Sequence, residues 1–180
     1  MKPLIIVSSV SASGKTTLVE QSIKEFDLYK LKTCTTRDIR EEETGNEYHF
    51  LTEEEFLWKA INQDAFIEHA NVYGKWYGLS KEEIENNRDR NCIIILDVQG
   101  AKTLKELYPH STTIFIKPPS PDEMLRRLSS RNTNQTDVRN RHIDSAREIS
   151  QMRLYDLVVE NGTREEMKID FNNMIATTIN

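Results

Sequence analysis

Cysteine is scarce in this chain of 180 residues, which contains only Cys34 and Cys92. These two lack the paired spacing of zinc sites and redox motifs, so we expect free thiols in a reducing compartment. The chain also lacks any apolar stretch near the ~20 residues that span a bilayer. Because Met1, Lys2 and Pro3 lead directly into a strand-like run without a signal-peptide h-region, we expect a cytoplasmic location.

Positive charge is not in excess, since 24 basic residues stand against 29 acidic ones and the net charge is −5. This balance argues against binding of nucleic acid polymers or of an anionic membrane. The hydrophobic fraction is only 37%, but apolar strand-like runs argue against disorder. No internal repeat or low-complexity tract is visible, and the length predicts one compact domain with one main core.

A candidate phosphate-binding loop follows the apolar run Leu4–Ser8 and precedes a helical pattern. The loop and the residue after it are Ser9, Val10, Ser11, Ala12, Ser13, Gly14, Lys15, Thr16 and Thr17. In such a loop, N–H groups point at phosphate oxygens, Lys15 bridges the terminal phosphates, and the Thr16 hydroxyl joins the Mg²⁺ shell. A nucleoside triphosphate is therefore the predicted ligand. Ser9 replaces the usual first glycine, and we expect it to adopt the loop conformation at a cost.

Strand-like and helix-like segments alternate along the chain, which predicts an α/β fold with a mainly parallel sheet flanked by helices. The predicted strands are 4–8, 31–35, 92–96, 112–116 and 156–160. The predicted helices are 14–26, 100–108, 121–130, 138–152 and 163–176. The spacings Thr52 to Glu55 and Ser80 to Glu83 each predict a capping box at a helix start.

Two stretches interrupt this alternation, and both are rich in groups that bind anions or bases. The first, 33–79, contains short polar strands, aromatic residues and arginines. The second, 126–147, holds six arginines and His142 against two acids, Asp137 and Asp144. Composition alone supports two interpretations of the second stretch equally, a polyphosphate clamp and a solvated helix face.

The chain resembles the guanylate kinase family over nearly its whole length. The matching stretches are 35–37 with Arg40, 45–50, 66–68, 77–78, 97–100, 118–120, 127–131 and 155–161. The resemblance implies a P-loop NTPase core formed by 1–32, 80–119 and 147–180. It also implies an inserted nucleoside-monophosphate-binding subdomain at 33–79 and a helical lid at 120–146.

The resemblance implies that Arg37, Arg40, Tyr48 and Tyr77 bind the phosphate of the acceptor nucleotide. Two guanidinium forks suit a dianionic phosphate better than lysines would, and the tyrosines would add hydroxyl donors. Either tyrosine alone would be interpreted as an ordinary half-buried aromatic.

The base of the acceptor is implied to be guanine. A carboxylate at Glu68 can accept hydrogen bonds from both N1–H and the amine of guanine, a donor pair that adenine lacks. Thr33 takes the place of a base-contacting serine in the family, whereas Leu79 stands where the family has a hydroxyl near guanine O6 and cannot donate. Asp97 directly follows the predicted strand 92–96, where it would organise Mg²⁺ waters together with Thr16 or hold the guanine amine.

The arginines of the lid are implied to close over the phosphoryl group in transfer. Arg127, Arg131 and Arg141 match this role, and Arg131 and Arg141 join Lys15 as the expected catalytic residues. His142 falls where the family has an arginine, so either Arg141 takes over or His142 gives a weaker, pH-dependent clamp.

The expected activity is transfer of a phosphoryl group from ATP to GMP or dGMP, with Mg²⁺ as cofactor, by a monomer or homodimer. Two alternatives stay open. One is a noncatalytic guanylate-kinase-like domain that binds a protein partner, which the departures at Ser9 and Leu79 keep possible. The other is a kinase for another nucleotide or a sugar monophosphate, against which Glu68 argues.

Overall fold

The computed structural model describes residues 2–10, 13–41, 43–72, 74–117, 120, 126, 145–160 and 162–180. The strands, in chain order, are β1 (Leu4–Ser8), β2 (Tyr29–Lys30), β3 (Cys34–Thr35), β4 (His49–Phe50), β5 (Phe66–Val72), β6 (Lys75–Ser80), β7 (Cys92–Ile95), β8 (Thr112–Ile116) and β9 (Leu157–Val159). The helices are α1 (Lys15–Phe26), α2 (Glu53–Asn62), α3 (Lys81–Asn86), α4 (Val98–Leu107) and α5 (Arg164–Ile179). Residues 145–150 are also helical, and a 3₁₀ turn covers Met152–Leu154.

The strands form two sheets. The larger sheet has five parallel strands in the spatial order β2, β7, β1, β8, β9. The smaller sheet has the order β4, β3, β6, β5, and its β5 and β6 form an antiparallel hairpin. The fold is therefore α/β with a parallel sheet flanked by helices, as the sequence predicts.

The core lies on both faces of the parallel sheet. Ile5 and Val7 of β1 pack in one cluster with residues of α1 and α5. Leu4 and Ile6, which alternate with them, pack in a second cluster with residues of α3, α4 and β6. Burial on both faces explains why β1 is a continuous apolar run instead of an alternating one.

Polar side chains fix the starts of the helices. Thr52 and Glu55 form the predicted capping box of α2, in which each side chain accepts from the other's main-chain N–H. Ser80 accepts from the N–H of Glu83 at the start of α3. The carboxylate of Glu83 accepts instead from the N–H of Lys32 at 2.9 Å, which ties α3 to the segment between the two sheets.

Most predicted elements agree with the structure, but the strand at 31–35 is wrong. The chain leaves the parallel sheet after Lys30 and joins the smaller sheet at Cys34. The helix predicted at 121–130 lies outside the described residues except for Arg126, and so do residues 138–144 of the helix predicted at 138–152, whose described part is helical at 145–150. Cys34 and Cys92 are both buried and free. Within the described part of the chain, no helix is long and apolar enough to cross a bilayer.

Candidate active site

The candidate phosphate loop connects β1 to α1. Gly14 is the N-cap of α1 with a φ of +91°, a left-handed conformation that favours glycine. The Nζ atom of Lys15 lies 3.5 Å from the main-chain oxygen of Ser9, so this side chain folds back over the loop. The buried Ser13 hydroxyl has no hydrogen-bond partner among the residues that the structure describes. Since buried hydroxyls are normally paired, Ser13 is suited to donate to a phosphate oxygen.

Ser9 is not strained, contrary to the expectation from the missing glycine. Outside glycine, the described residues with positive φ are Asp27 and Asp64, so Ser9 occupies ordinary backbone space. The residue is buried but its conformation does not require glycine. Ser11 and Ala12 lie outside the described residues.

The candidate Mg²⁺ residues lie at the same edge of the parallel sheet. Thr16 and Thr17 are exposed in the first turn of α1, and Asp97 follows β7, the neighbour of β1. The hydroxyl of Ser8 donates to the main-chain oxygen of Leu96 at 2.9 Å, which fastens the ends of the two strands together. A hydroxyl and a carboxylate are hard oxygen ligands, so they fit a Mg²⁺ ion that keeps most of its waters.

One face of the smaller sheet carries several predicted acceptor-binding residues. Tyr77 is paired with both Thr35 and Ala70, and Glu68 is paired with Leu79. Paired residues point to the same side of a sheet, as do residues two apart in one strand. Glu68 and Tyr77 therefore share a face, with Glu68 toward one end of the hairpin.

The other end of this face gathers the predicted phosphate ligands. The guanidinium carbon of Arg37 lies 5.3 Å from the ring centre of Tyr48, and the rings of Tyr48 and Tyr77 are 6.3 Å apart. Burial raises the pKa of Tyr48, so its hydroxyl keeps its proton and can donate. The side chain of Arg40 is exposed. Arg37 and both tyrosines therefore form one cluster of donors.

Glu43 holds Arg37 in place, a contact that the sequence reasoning missed. The carboxylate accepts from both terminal nitrogens of Arg37, at 2.7 and 3.0 Å, and from the N–H of Arg40 at 2.9 Å. Burial opposes the positive charge of Arg37, but hydrogen bonding and charge from Glu43 outweigh it and raise its pKa. The signal in the sequence is an acid six residues after the arginine, within one loop.

Glu68 reaches the N-terminal turn of α4, where Asp97 is the N-cap. Asp97 Oδ1 accepts from the N–H of Gly100 at 2.9 Å, and a β-carbon at position 100 would lie 3.0 Å from Glu68 Oε2. Burial raises the pKa of Glu68 to about 7, and the charge of Asp97 adds to this while a main-chain hydrogen bond from Leu79 opposes it. Two carboxylates thus converge on one turn of helix.

Leu79, which the resemblance places near guanine O6, is a core residue in the structure. Its side chain has 0% exposure and packs in the core with Leu4, Ile6 and Leu104. Although Leu79 is on the same sheet face as Glu68, core residues cover its side chain. Thr33 is also buried, with 7% exposure.

A cavity of about 310 Å³ adjoins Glu68. Its lining comes from α2, β5, α4 and the loop between α2 and β5, and includes Asp64, His69, Gln99 and Thr103. Among the predicted acceptor-binding residues, only Glu68 lines this cavity. The carboxylate of Glu68 is therefore accessible from a space beside the sheet.

The predicted lid residues cannot be placed against this site. Arg127, Arg131, Arg141 and His142 all lie outside the described residues.

Comparison with known proteins gives consistent matches. A model of the guanylate kinase family matches residues 1–178. A guanylate kinase from Clostridium acetobutylicum is 36% identical over 179 residues, covering 96% of this chain and 84% of the relative. A guanylate kinase from Neisseria gonorrhoeae is 38% identical over 177 residues, covering 96% of this chain and 86% of the relative.

Solved structures are also similar. The crystal structure of guanylate kinase from Anaplasma phagocytophilum has a TM-score of 0.78 and 30% identity, covering 99% of this chain and 87% of that one. Shikimate kinase from Bacteroides thetaiotaomicron has a TM-score of 0.53 at 15% identity, covering 97% of both chains, which is a likeness of fold alone.

Proposed function

The chain belongs to the guanylate kinase family, and we propose that it transfers the γ-phosphoryl group of ATP to GMP or dGMP. The products are ADP and GDP or dGDP. The arrangement on the smaller sheet carries the acceptor assignment. One face has a cationic and phenolic cluster at one end and a carboxylate at the other, as a nucleotide with an anionic phosphate and a guanine base requires.

ATP is the proposed donor, bound by the loop between β1 and α1. Lys15 supplies positive charge to the phosphates, and Ser13 has a buried hydroxyl suited to an oxygen acceptor. The N-terminus of α1 adds main-chain N–H groups and a partial positive charge. These groups act by positioning and by stabilising charge, because phosphoryl transfer requires little covalent chemistry from the protein.

Mg²⁺ is the proposed cofactor. Thr16 would bind it directly and Asp97 through water, and the ion would neutralise charge on the phosphate oxygens.

Glu68 is the proposed reader of guanine. Its carboxylate would accept hydrogen bonds from N1–H and the exocyclic amine, and Asp97 lies close enough to raise its pKa. Arg37, held by Glu43, and the hydroxyls of Tyr48 and Tyr77 would bind the phosphate.

The division into core, acceptor subdomain and lid is part of the proposal. The smaller sheet, which β3 to β6 form, supports a subdomain at 33–79. We propose that Arg127, Arg131 and Arg141 in the lid at 120–146 contact the transferring phosphoryl, with His142 beside them. The cytoplasmic location also stays a prediction.

A panel of acceptors tests this proposal. ADP release is measured with ATP, Mg²⁺ and each of GMP, dGMP, AMP, CMP, UMP and a sugar monophosphate. The proposal predicts that a guanine nucleotide has the highest kcat/KM and that Lys15→Ala lowers it by about 100-fold or more. A different preferred acceptor would favour the other-kinase alternative. The absence of ADP release with every acceptor would favour the protein-binding alternative.

A further inference from the structure

We propose that Gly100 is a positioning residue for Glu68, because the absence of a side chain at this turn of α4 makes room for the guanine-reading carboxylate. This inference rests on the proposed function. It assigns to Gly100 an indirect role in specificity, because Gly100 affects recognition of the base by positioning the side chain of Glu68.

The space around Gly100 is occupied mainly by the Glu68 carboxyl group. A β-carbon at position 100 would lie 3.0 Å from Glu68 Oε2 and 3.3 Å from Glu68 Cδ. The next nearest atom, Cβ of Leu96, would be at 3.5 Å, an ordinary van der Waals distance. A methyl group here therefore requires the carboxylate to move and leaves the rest of the packing in place.

The backbone at Gly100 does not need glycine. The described glycines with positive φ are Gly14, Gly45 and Gly74, so Gly100 has a conformation open to any residue. Gly100 lies inside α4, where alanine has a higher helix propensity. Space for a neighbour is then the remaining reason for a glycine.

Displacement of Glu68 is easy for the fold but costly for recognition. The carboxyl group ends a flexible side chain, so it can shift by a few tenths of an ångström without disturbing the core. Guanine recognition, however, needs both carboxylate oxygens aligned with two donors, and hydrogen bonds weaken steeply when alignment is lost. The expected consequence is weaker GMP binding in a protein that is as stable as before.

Gly100→Ala tests the inference by steady-state kinetics and thermal unfolding. We expect the KM for GMP to rise by about tenfold, with the KM for ATP and kcat at saturating GMP within about threefold of wild type. The melting temperature should be equal or higher. Lys102→Ala, an exposed substitution in the same helix, is the matched control and should leave both KM values unchanged.

A double-mutant cycle shows whether Gly100 acts through Glu68. In a Glu68→Ala background no carboxylate remains to be displaced, so Gly100→Ala should change the KM for GMP by less than about twofold. An equal rise in both backgrounds would overturn the inference. An unchanged KM in the single variant would also overturn it, as would a Gly100→Ala protein that fails to fold.

The result separates this inference from the proposed function. If wild type does not phosphorylate GMP, the proposed function fails. If wild type phosphorylates GMP and Gly100→Ala does so with the same KM, only the role of Gly100 fails.

Discussion

Glu68 is the residue whose charge state should control acceptor binding at neutral pH. Burial and the charge of Asp97 raise its pKa to about 7. Only the ionised carboxylate offers two acceptors to guanine, so the KM for GMP should rise as pH falls. At pH 6 about a tenth of Glu68 is ionised, which predicts a KM roughly tenfold above its value at pH 8.

The pH series of Glu68→Gln provides the control, because the phosphate of GMP titrates in the same range. In this variant we expect kcat/KM for GMP to be low. Its remaining change with pH should come from the phosphate of GMP, because glutamine does not ionise. A wild-type pH profile that matches the Glu68→Gln profile would show that Glu68 does not control binding.

The same carboxyl group has a predictable effect on stability. Its pKa is raised in the folded protein from an ordinary 4.5, because the folded state favours the protonated carboxyl group. The free energy of unfolding is therefore highest below about pH 4.5 and falls as pH rises through about 7. Glutamine does not ionise, so Glu68→Gln should keep the free energy of unfolding that wild type loses at high pH. The variant should unfold at a higher temperature than wild type at pH 8. The gain can reach ~3 kcal/mol, reduced by the partial exposure of Glu68.

At the residue scale, sequence reasoning found side chains with obvious chemistry and missed those that support them. Arg37 and Glu68 were predicted from the family resemblance, and a guanidinium and a carboxylate have the chemistry that a phosphate and a guanine require. Glu43 and Gly100 were missed, since Glu43 matters because it lies 2.7 Å from Arg37, and Gly100 because a β-carbon there would lie 3.0 Å from Glu68. Gly100 is 32 positions from Glu68 in the sequence, so only tertiary structure brings them together.

At the element scale, the N-terminus of α4 combines a structural and a chemical role in Asp97. Asp97 caps the helix through Gly100, and it is also the proposed Mg²⁺ organiser. Because asparagine caps helices about as well as aspartate, Asp97→Asn should keep the stability and lower kcat by about tenfold or more. Thr163→Ala, which removes the cap of α5, should instead cost about 1 kcal/mol and leave kcat unchanged. Equal kcat in Asp97→Asn and wild type would exclude the proposed role in the reaction.

Strand β6 links the smaller sheet to the core through Leu79. Leu79→Ser would leave a cavity and an unpaired hydroxyl among buried residues, so we expect a loss of about 3 kcal/mol or more in the free energy of unfolding. No gain in kcat/KM for GMP is expected, because the side chain faces the core. Leu107→Ser is the matched control, since Leu107 is 58% exposed, and it should cost less than about 1 kcal/mol. A GMP-specific gain in Leu79→Ser would contradict the core placement.

The sequence predicted the continuous apolar strands correctly and the mixed run 31–35 incorrectly. β1 and β8 were predicted with correct bounds because a short apolar run between breakers has few alternatives. The prediction of one strand at 31–35 was wrong because β-branched residues favour a strand but do not specify which sheet it joins. Leu31 packs in the core and Cys34 belongs to the smaller sheet, so two short strands replace the predicted one.

At the scale of the whole molecule, the alternation of elements predicted the fold class, since a parallel sheet needs helical crossovers between strands. The arrangement of the smaller sheet was not predictable in the same way. Its pairing of β3 with β6 joins segments about 40 residues apart, through Thr35 and Tyr77. Local patterns do not encode such pairings, which is why the shared face of Glu68 and Tyr77 emerged only from the structure.

The fate of the transferred phosphoryl group tests the central claim most directly. The protein is incubated with ATP labelled at the γ-phosphate, Mg²⁺ and GMP, and the labelled products are separated and identified. We predict that the label appears as the β-phosphate of GDP in equal amount to the ADP formed. Label that stays in ATP, or that appears as inorganic phosphate while GMP is unchanged, would contradict the account.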